Sequence, residues 1–168
     1  MKKSARFSLV MLAIFLGLIG NAAFAQSDKD AVRALKKLQT KCSVGMSYRD
    51  FGNALGDTQF EVDLFLESKA AQNKLSTAEH VKLAMKYYKQ ALAIWDIKIT
   101  VGKRFYPAGI STVKNLLRLY PETADAIIRE RSLELYDFDQ AVSIMLAKAS
   151  DEVKSAMESL NTDEESVN

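Results

Sequence analysis

The chain has 168 residues, 48% apolar and 26% charged, with 7 Gly, 2 Pro and 1 Cys. That length suits a single domain. Low glycine and proline exclude collagen-like and proline-rich classes, one cysteine excludes a disulfide scaffold, and one histidine excludes an all-histidine metal cage.

Residues 1–25 have the layout of a secretory signal. Lys2, Lys3 and Arg6 form a positive start, and the thirteen residues from Phe7 to Ile19 are apolar except for Ser8 and Gly17. The small-residue pattern Ala23-x-Ala25 then offers a cleavage site. Thirteen residues fall short of the ~20 needed to cross a bilayer, so the expected mature chain starts at Gln26 with no transmembrane span. Its destination is the periplasm, or the medium if it is secreted further. Cys42 lies too far from the junction for lipid attachment. Cleavage would remove three of the 23 basic residues and none of the 21 acidic ones, leaving a net charge of −1. A domain so balanced argues against nucleic-acid binding.

The mature sequence reads as all-α: an antiparallel helical bundle of four to five helices over residues 26–161, followed by an acidic, disordered tail over 162–168. From Asp30 to Lys69 apolar residues recur at steps of three and four, the helical period. The stripe runs through Ala31, Leu35, Leu38, Cys42, Tyr48, Phe51, Leu55, Val62 and Phe65. Gly45, Gly52 and Gly56 share one face, which predicts close approach of a second helix there in preference to a helix break. Whether this stretch is one helix or two is left open by the spacing.

Ser76-Thr77-Ala78-Glu79 has the form of a capping box and opens the clearest helix. Its seam is Val81, Met85, Tyr88, Leu92, Trp95 and Ile99, and Lys82, Lys86 and Lys89 form a basic stripe beside it. Ala84-x-x-x-Tyr88-x-x-Ala91-Leu92 is locally similar to the second helix of a tetratricopeptide repeat. The 34-residue period of that repeat finds no match at Arg118 and Glu122, so the pattern is read as helix packing. Gly102 to Gly109 reads as a loop, and Ser111 as the cap of a short helix. Pro121 is expected to open a further helix bearing Ala124, Ile127, Ile128, Arg131 and Leu135. Asp137 or Asp139 caps the last helix, whose seam is Val142, Leu146, Ala149, Val153, Ala156 and Leu160. No hairpin is predicted.

Chemistry-bearing patterns are sparse. His80 is the only imidazole, placed on the surface near a helix start. No Gly-x-Ser-x-Gly elbow, glycine-rich phosphate loop or calcium loop is present, so no catalytic residue, metal ligand or cofactor is assigned and no enzyme is expected. Cys42, amid apolar residues, reads as a buried thiol, with an intermolecular disulfide as the alternative in an oxidising compartment.

Charge is the remaining lead. Between Lys69 and Arg118 there are ten basic residues and two acidic ones, Glu79 and Asp96. The expected function is an interaction or structural module of the cell envelope, binding an unidentified protein partner or acidic surface. The candidate contacts are Lys82, Lys86, Lys89, Lys103, Arg104, Phe105 and Tyr106, with the acidic tail as a competitor for them. The alternative is a carrier of a small apolar ligand or lipid in a cavity lined by Tyr88 and Trp95. Nothing in the sequence sets the oligomeric state.

Overall fold

A computed structural model describes residues 28–165, with side chains as far as Thr162. The expected signal segment and cleavage site lie outside the described residues, as do residues 166–168 of the tail.

The chain is mostly helical, as expected, with one small sheet that was not. Helix α1 covers residues 28–44 and buries Ala31, Val32, Leu35 and Leu38. Gly45 then takes a left-handed φ of +86°, a conformation that costs most side chains about 1–2 kcal/mol, and the helix stops. The close helix approach expected at the three glycines is not formed. Gly45 marks a break, and a Cβ added to Gly52 or Gly56 would meet nothing within 4 Å. No helix packs against that face among the described residues.

Ser47 starts α2 (Tyr48–Leu66). Its Oγ accepts from the Asp50 amide at 3.1 Å and donates to the Asp50 carboxylate at 2.7 Å. This satisfies a backbone donor that the first helical turn leaves free. Ser68 caps the short α3 (Lys69–Asn73) in the same way. Helix α4 (Leu75–Val101) spans 27 residues, about 40 Å at 1.5 Å per residue. The expected capping box does not form. Lys74 occupies the N-cap without a side-chain cap bond, because the chain leaves α3 too tightly for Ser76 to stand outside the helix. The Ser76 hydroxyl meets that of Ser159 instead, at 3.1 Å. Gly102 ends α4 in a left-handed conformation, φ +65°, the common helix stop.

Beyond Gly102 the structure departs most from the expected helices. Strand β1 (Phe105–Pro107) lies inside the predicted loop. Helix α5 (Ser111–Leu119) is short as expected and buries Val113 and Leu116, but Ile110 is its N-cap. Pro121 opens a single 3-10 segment, Pro121–Ala126, and not a helix. The residues beyond it form a hairpin of β2 (Ile127–Glu130) and β3 (Leu133–Asp137). The sheet order is β1-β3-β2 with both pairs antiparallel. Helix α6 (Phe138–Glu165) follows and runs past residue 161, where the domain was expected to end.

The four long helices run antiparallel in succession, as their cross-contacts show. The Tyr48 hydroxyl at the start of α2 donates to Asp96 near the end of α4, at 2.9 Å. Along α4 and α6, Lys98 meets Asp139, His80 meets Glu152 and Ser76 meets Ser159, so partner numbers rise as α4 numbers fall. Helix α1 joins through Gln39 to Ser150 and through the buried Asp28 carboxylate, 2.6 Å from Lys74 Nζ.

The α4–α6 pair is the most extensive contact. Ala84 and Ala91 face it from one side and Ala141, Ala149 and Ala156 from the other, all fully buried. Small side chains let two axes approach closely. Of the predicted α4 seam, Val81, Met85 and Tyr88 are buried, Leu92 and Trp95 half-buried, and Ile99 exposed. The predicted α6 seam is buried except for Leu146, which is half-buried.

Candidate functional site

Helix α4 carries the basic stripe along an open groove shared with α2. Lys82, Lys86 and Lys89 line it, with a volume of about 370 Å³. Val62, Leu66 and Met85 supply its apolar surface, and Gln59, Asp63 and Gln90 its polar positions. The side-chain carbonyl oxygens of Gln59 and Gln90 are buried without a hydrogen-bond partner, which leaves two acceptors unmet. Among the described residues none of the three lysines forms an ion pair. Lys86 lies 5.2 Å from the Tyr87 ring centre, and Lys148 of α6 approaches the same ring at 5.9 Å. The sequence reading missed Lys148, which no local spacing connects to α4.

Three other residues of the basic excess are committed to ion pairs elsewhere. Lys74 pairs with Asp28 and Lys98 with Asp139. Arg104 binds Asp137 at 2.8 Å and Asp139 at 3.3 Å, with its guanidinium 4.8 Å from the Phe105 ring centre. Tyr106 is half-buried against Phe138, ring centres 6.4 Å apart. Lys103 is exposed. Lys89 precedes the end of α4 by twelve residues, about 18 Å of helix, and the chain then turns into β1 to pair with β3. The structure therefore places the 103–106 cluster at the sheet end, away from the lysine groove.

Tyr88 and Trp95, expected around a cavity, pack against Phe51, with ring centres 6.3 and 6.0 Å away. Tyr48 adds an edge-on contact to Trp95 at 5.9 Å. Phe51 is itself buried and occupies the space a ligand would take. The Tyr88 hydroxyl has no hydrogen-bond partner. Burial, with a smaller contribution from Cys42, pushes its pKa well above that of an ordinary phenol.

His80 is joined to α6, its Nδ1 2.7 Å from Glu152 Oε2. A neighbouring surface pocket of about 340 Å³ is lined by His80, Ser76, Ser155 and Ser159. This juxtaposes an imidazole, a carboxylate and hydroxyls, the parts of a nucleophilic site. No hydroxyl hydrogen-bonds to His80 among the described residues. The contact ties α4 to α6, and Glu152 was invisible as a partner because 72 positions separate it from His80.

Cys42 is a free, half-buried thiol whose pKa burial raises to about 11. Among the described residues no group of three His, Cys, Asp or Glu side chains could hold a metal ion.

No known protein family matches the chain, nor does any curated protein or solved structure.

Proposed function

We propose that this chain is an exported helical interaction module that binds an acidic, amphipathic segment of a protein partner along the α2–α4 groove in the periplasm. The observation that carries the reading is the set of three unpaired lysines beside an apolar surface, in a protein that commits Lys74, Lys98 and Arg104 to ion pairs. Lysine stems lie along apolar surface while their ammonium groups stay in water, so such a groove fits a ligand apolar on one side and anionic on the other.

The signal layout of residues 1–25 supports export. Among the described residues no helix is long and apolar enough to cross a membrane. N-terminal sequencing of the protein expressed with its leader is expected to begin at Gln26, and an intact Met1 in the membrane fraction would refute cleavage at that site.

The groove is tested with a fluorescent acidic amphipathic peptide as probe. Binding is expected to weaken steeply with added salt, because the Debye length is about 8 Å at physiological ionic strength. Reversing Lys82, Lys86 and Lys89 to Glu is expected to abolish it with helical circular dichroism unchanged. Removing residues 161–168, which takes away Asp163, Glu164 and Glu165, is expected to strengthen it. Binding that survives the triple reversal and ignores salt would make the stripe a solvated face only.

A further inference from the structure

The outward side of α2 carries an apolar patch that no other element covers among the described residues. Phe60 is 63% exposed, the most open aromatic ring among them, and Leu64, one turn on, is 48% exposed. Arg49, Asn53, Gly56, Phe60, Asp63 and Glu67 follow one another at steps of four, three, four, three and four, the spacing of a coiled-coil seam, and all six are exposed. The core side of the helix is the opposite one, with Phe51, Leu55, Thr58, Val62 and Phe65 buried. The two end charges of the seam stand at the wrong ends of their own helix. Arg49 lies in the first turn, where the macrodipole is positive, and Glu67 is the C-cap, where it is negative. Neither forms an ion pair among the described residues. About 27 Å of helix separates them, so they cannot pair with each other within one chain.

We propose that this face docks on the same face of a second copy of the chain, with the two α2 helices antiparallel. A two-fold axis crossing α2 at the level of Thr58 sets Arg49 opposite Glu67, Asn53 opposite Asp63 and Gly56 opposite Phe60, because the members of each pair are equally far from residue 58. Each contact then occurs twice, as an isologous interface requires. The Phe60 ring of one copy covers the flat surface at Gly56 of the other, where an added Cβ meets nothing within the single chain. Both misplaced charges are relieved. Arg49 meets a carboxylate and the negative end of the facing helix, and Glu67 meets a guanidinium and the positive end. A parallel pairing would instead set like charges against each other, and a uniformly acidic or basic partner would satisfy one end and repel the other. A helix face about 28 Å long and about 10 Å wide is smaller than the about 800 Å² per partner of a standard interface, so the dimer is weak and reversible. Of the six seam residues only Asp63 also lines the lysine groove, and the proposal does not rest on the groove reading.

Sedimentation equilibrium of the purified protein is expected to show a single chain at about 10 μM and a mass rising toward two chains at about 1 mM, the range of a weak interface. Gly56→Gln and Phe60→Gln are each expected to weaken association about tenfold or more with helical circular dichroism kept, since both positions are exposed in the single chain. Arg49→Glu and Glu67→Arg are each expected to weaken it, and the double variant carrying both is expected to restore it. Restoration reports pairing between chains, because the two residues are out of reach of each other within one. A single-chain mass up to about 1 mM would overturn the proposal. So would undiminished association in Phe60→Gln, or a double reversal that associates no better than the single ones.

Discussion

Arg104 clasps Asp137 with two nitrogens, Nη2 2.8 Å from Oδ2 and Nε 3.2 Å from Oδ1. The same carboxylate caps α6, its Oδ1 accepting from the Asp139 and Gln140 amides at 2.9 and 3.3 Å. The Arg104 carbonyl in turn accepts from the Phe138 amide at 3.0 Å. One ion pair therefore fastens the sheet to the start of the last helix.

That arrangement predicts an acid-sensitive joint. The Arg104 guanidinium, aided by the Gln140 and Asp139 amides and opposed by burial, holds the Asp137 carboxyl below its usual pKa. A carboxylate with a depressed folded-state pKa stabilises the protein above its unfolded pKa, near 3.9, and loses that contribution as pH falls through the folded value. Asp137→Ala is expected to cost about 1 kcal/mol for the cap alone. Its melting temperature should approach that of the parent as pH drops from 5 to 2. A constant gap between the two curves would deny the carboxylate this role.

The open glycines of α2 lead to a stabilising change. Neither has a positive φ, and no atom stands within 4 Å of an added Cβ at either. Gly52→Ala and Gly56→Ala are each expected to add roughly 0.5–1 kcal/mol, since glycine loses more backbone freedom on folding. Gly45→Ala, which forces alanine into the left-handed region, is expected to destabilise by about 1–2 kcal/mol. Three denaturant curves decide the matter.

Arg131 sits in the β2–β3 turn at φ +57°, the one non-glycine residue with positive φ among the described residues. Arg131→Gly removes the steric cost and is expected to stabilise by up to ~1 kcal/mol. Arg131→Val, whose branched Cβ suits that region worst, should destabilise. Equal melting temperatures for the two variants would show the turn to be indifferent to its backbone conformation.

Cys42 is expected to react slowly. With its pKa raised by burial from 9.0 to about 11, little thiolate exists near neutrality, and the thiolate is the nucleophile. Alkylation of the folded protein should accelerate about tenfold per pH unit between 8 and 10. Unfolding in denaturant at pH 8 should raise the rate on the order of a hundredfold. Because the folded state keeps the proton longer, this group's contribution to stability is full below pH 9 and declines toward pH 11. A folded-state rate levelling off near pH 9 would contradict the burial argument.

Periodicity and cap chemistry determined much of this protein by themselves. The stripes of α1, α2, α4 and α6 are legible because a helix repeats its neighbours every three to four residues, so burial is written in local spacing. The caps at Asp137 and Gly102, the Val113–Leu116 face of α5 and the lysine stripe are local in the same sense. The hairpin was illegible because its turn is Arg131-Ser132, with none of the Asn-Gly or Asp-Gly signals that mark two-residue turns. The pairing that sets Tyr106 beside Tyr136 and Pro107 beside Leu135 joins segments far apart in sequence, which no local pattern announces. Only the tertiary structure decided which charges are free. Spacing shows that Lys82, Lys86, Lys89, Lys98 and Arg104 are basic. It cannot show that Asp137 and Asp139 consume the last two while the first three stay unpaired beside Val62 and Met85. An ion pair depends on a distance of a few ångströms between residues tens of positions apart, and that distance is fixed by how the helices pack and not by any local pattern.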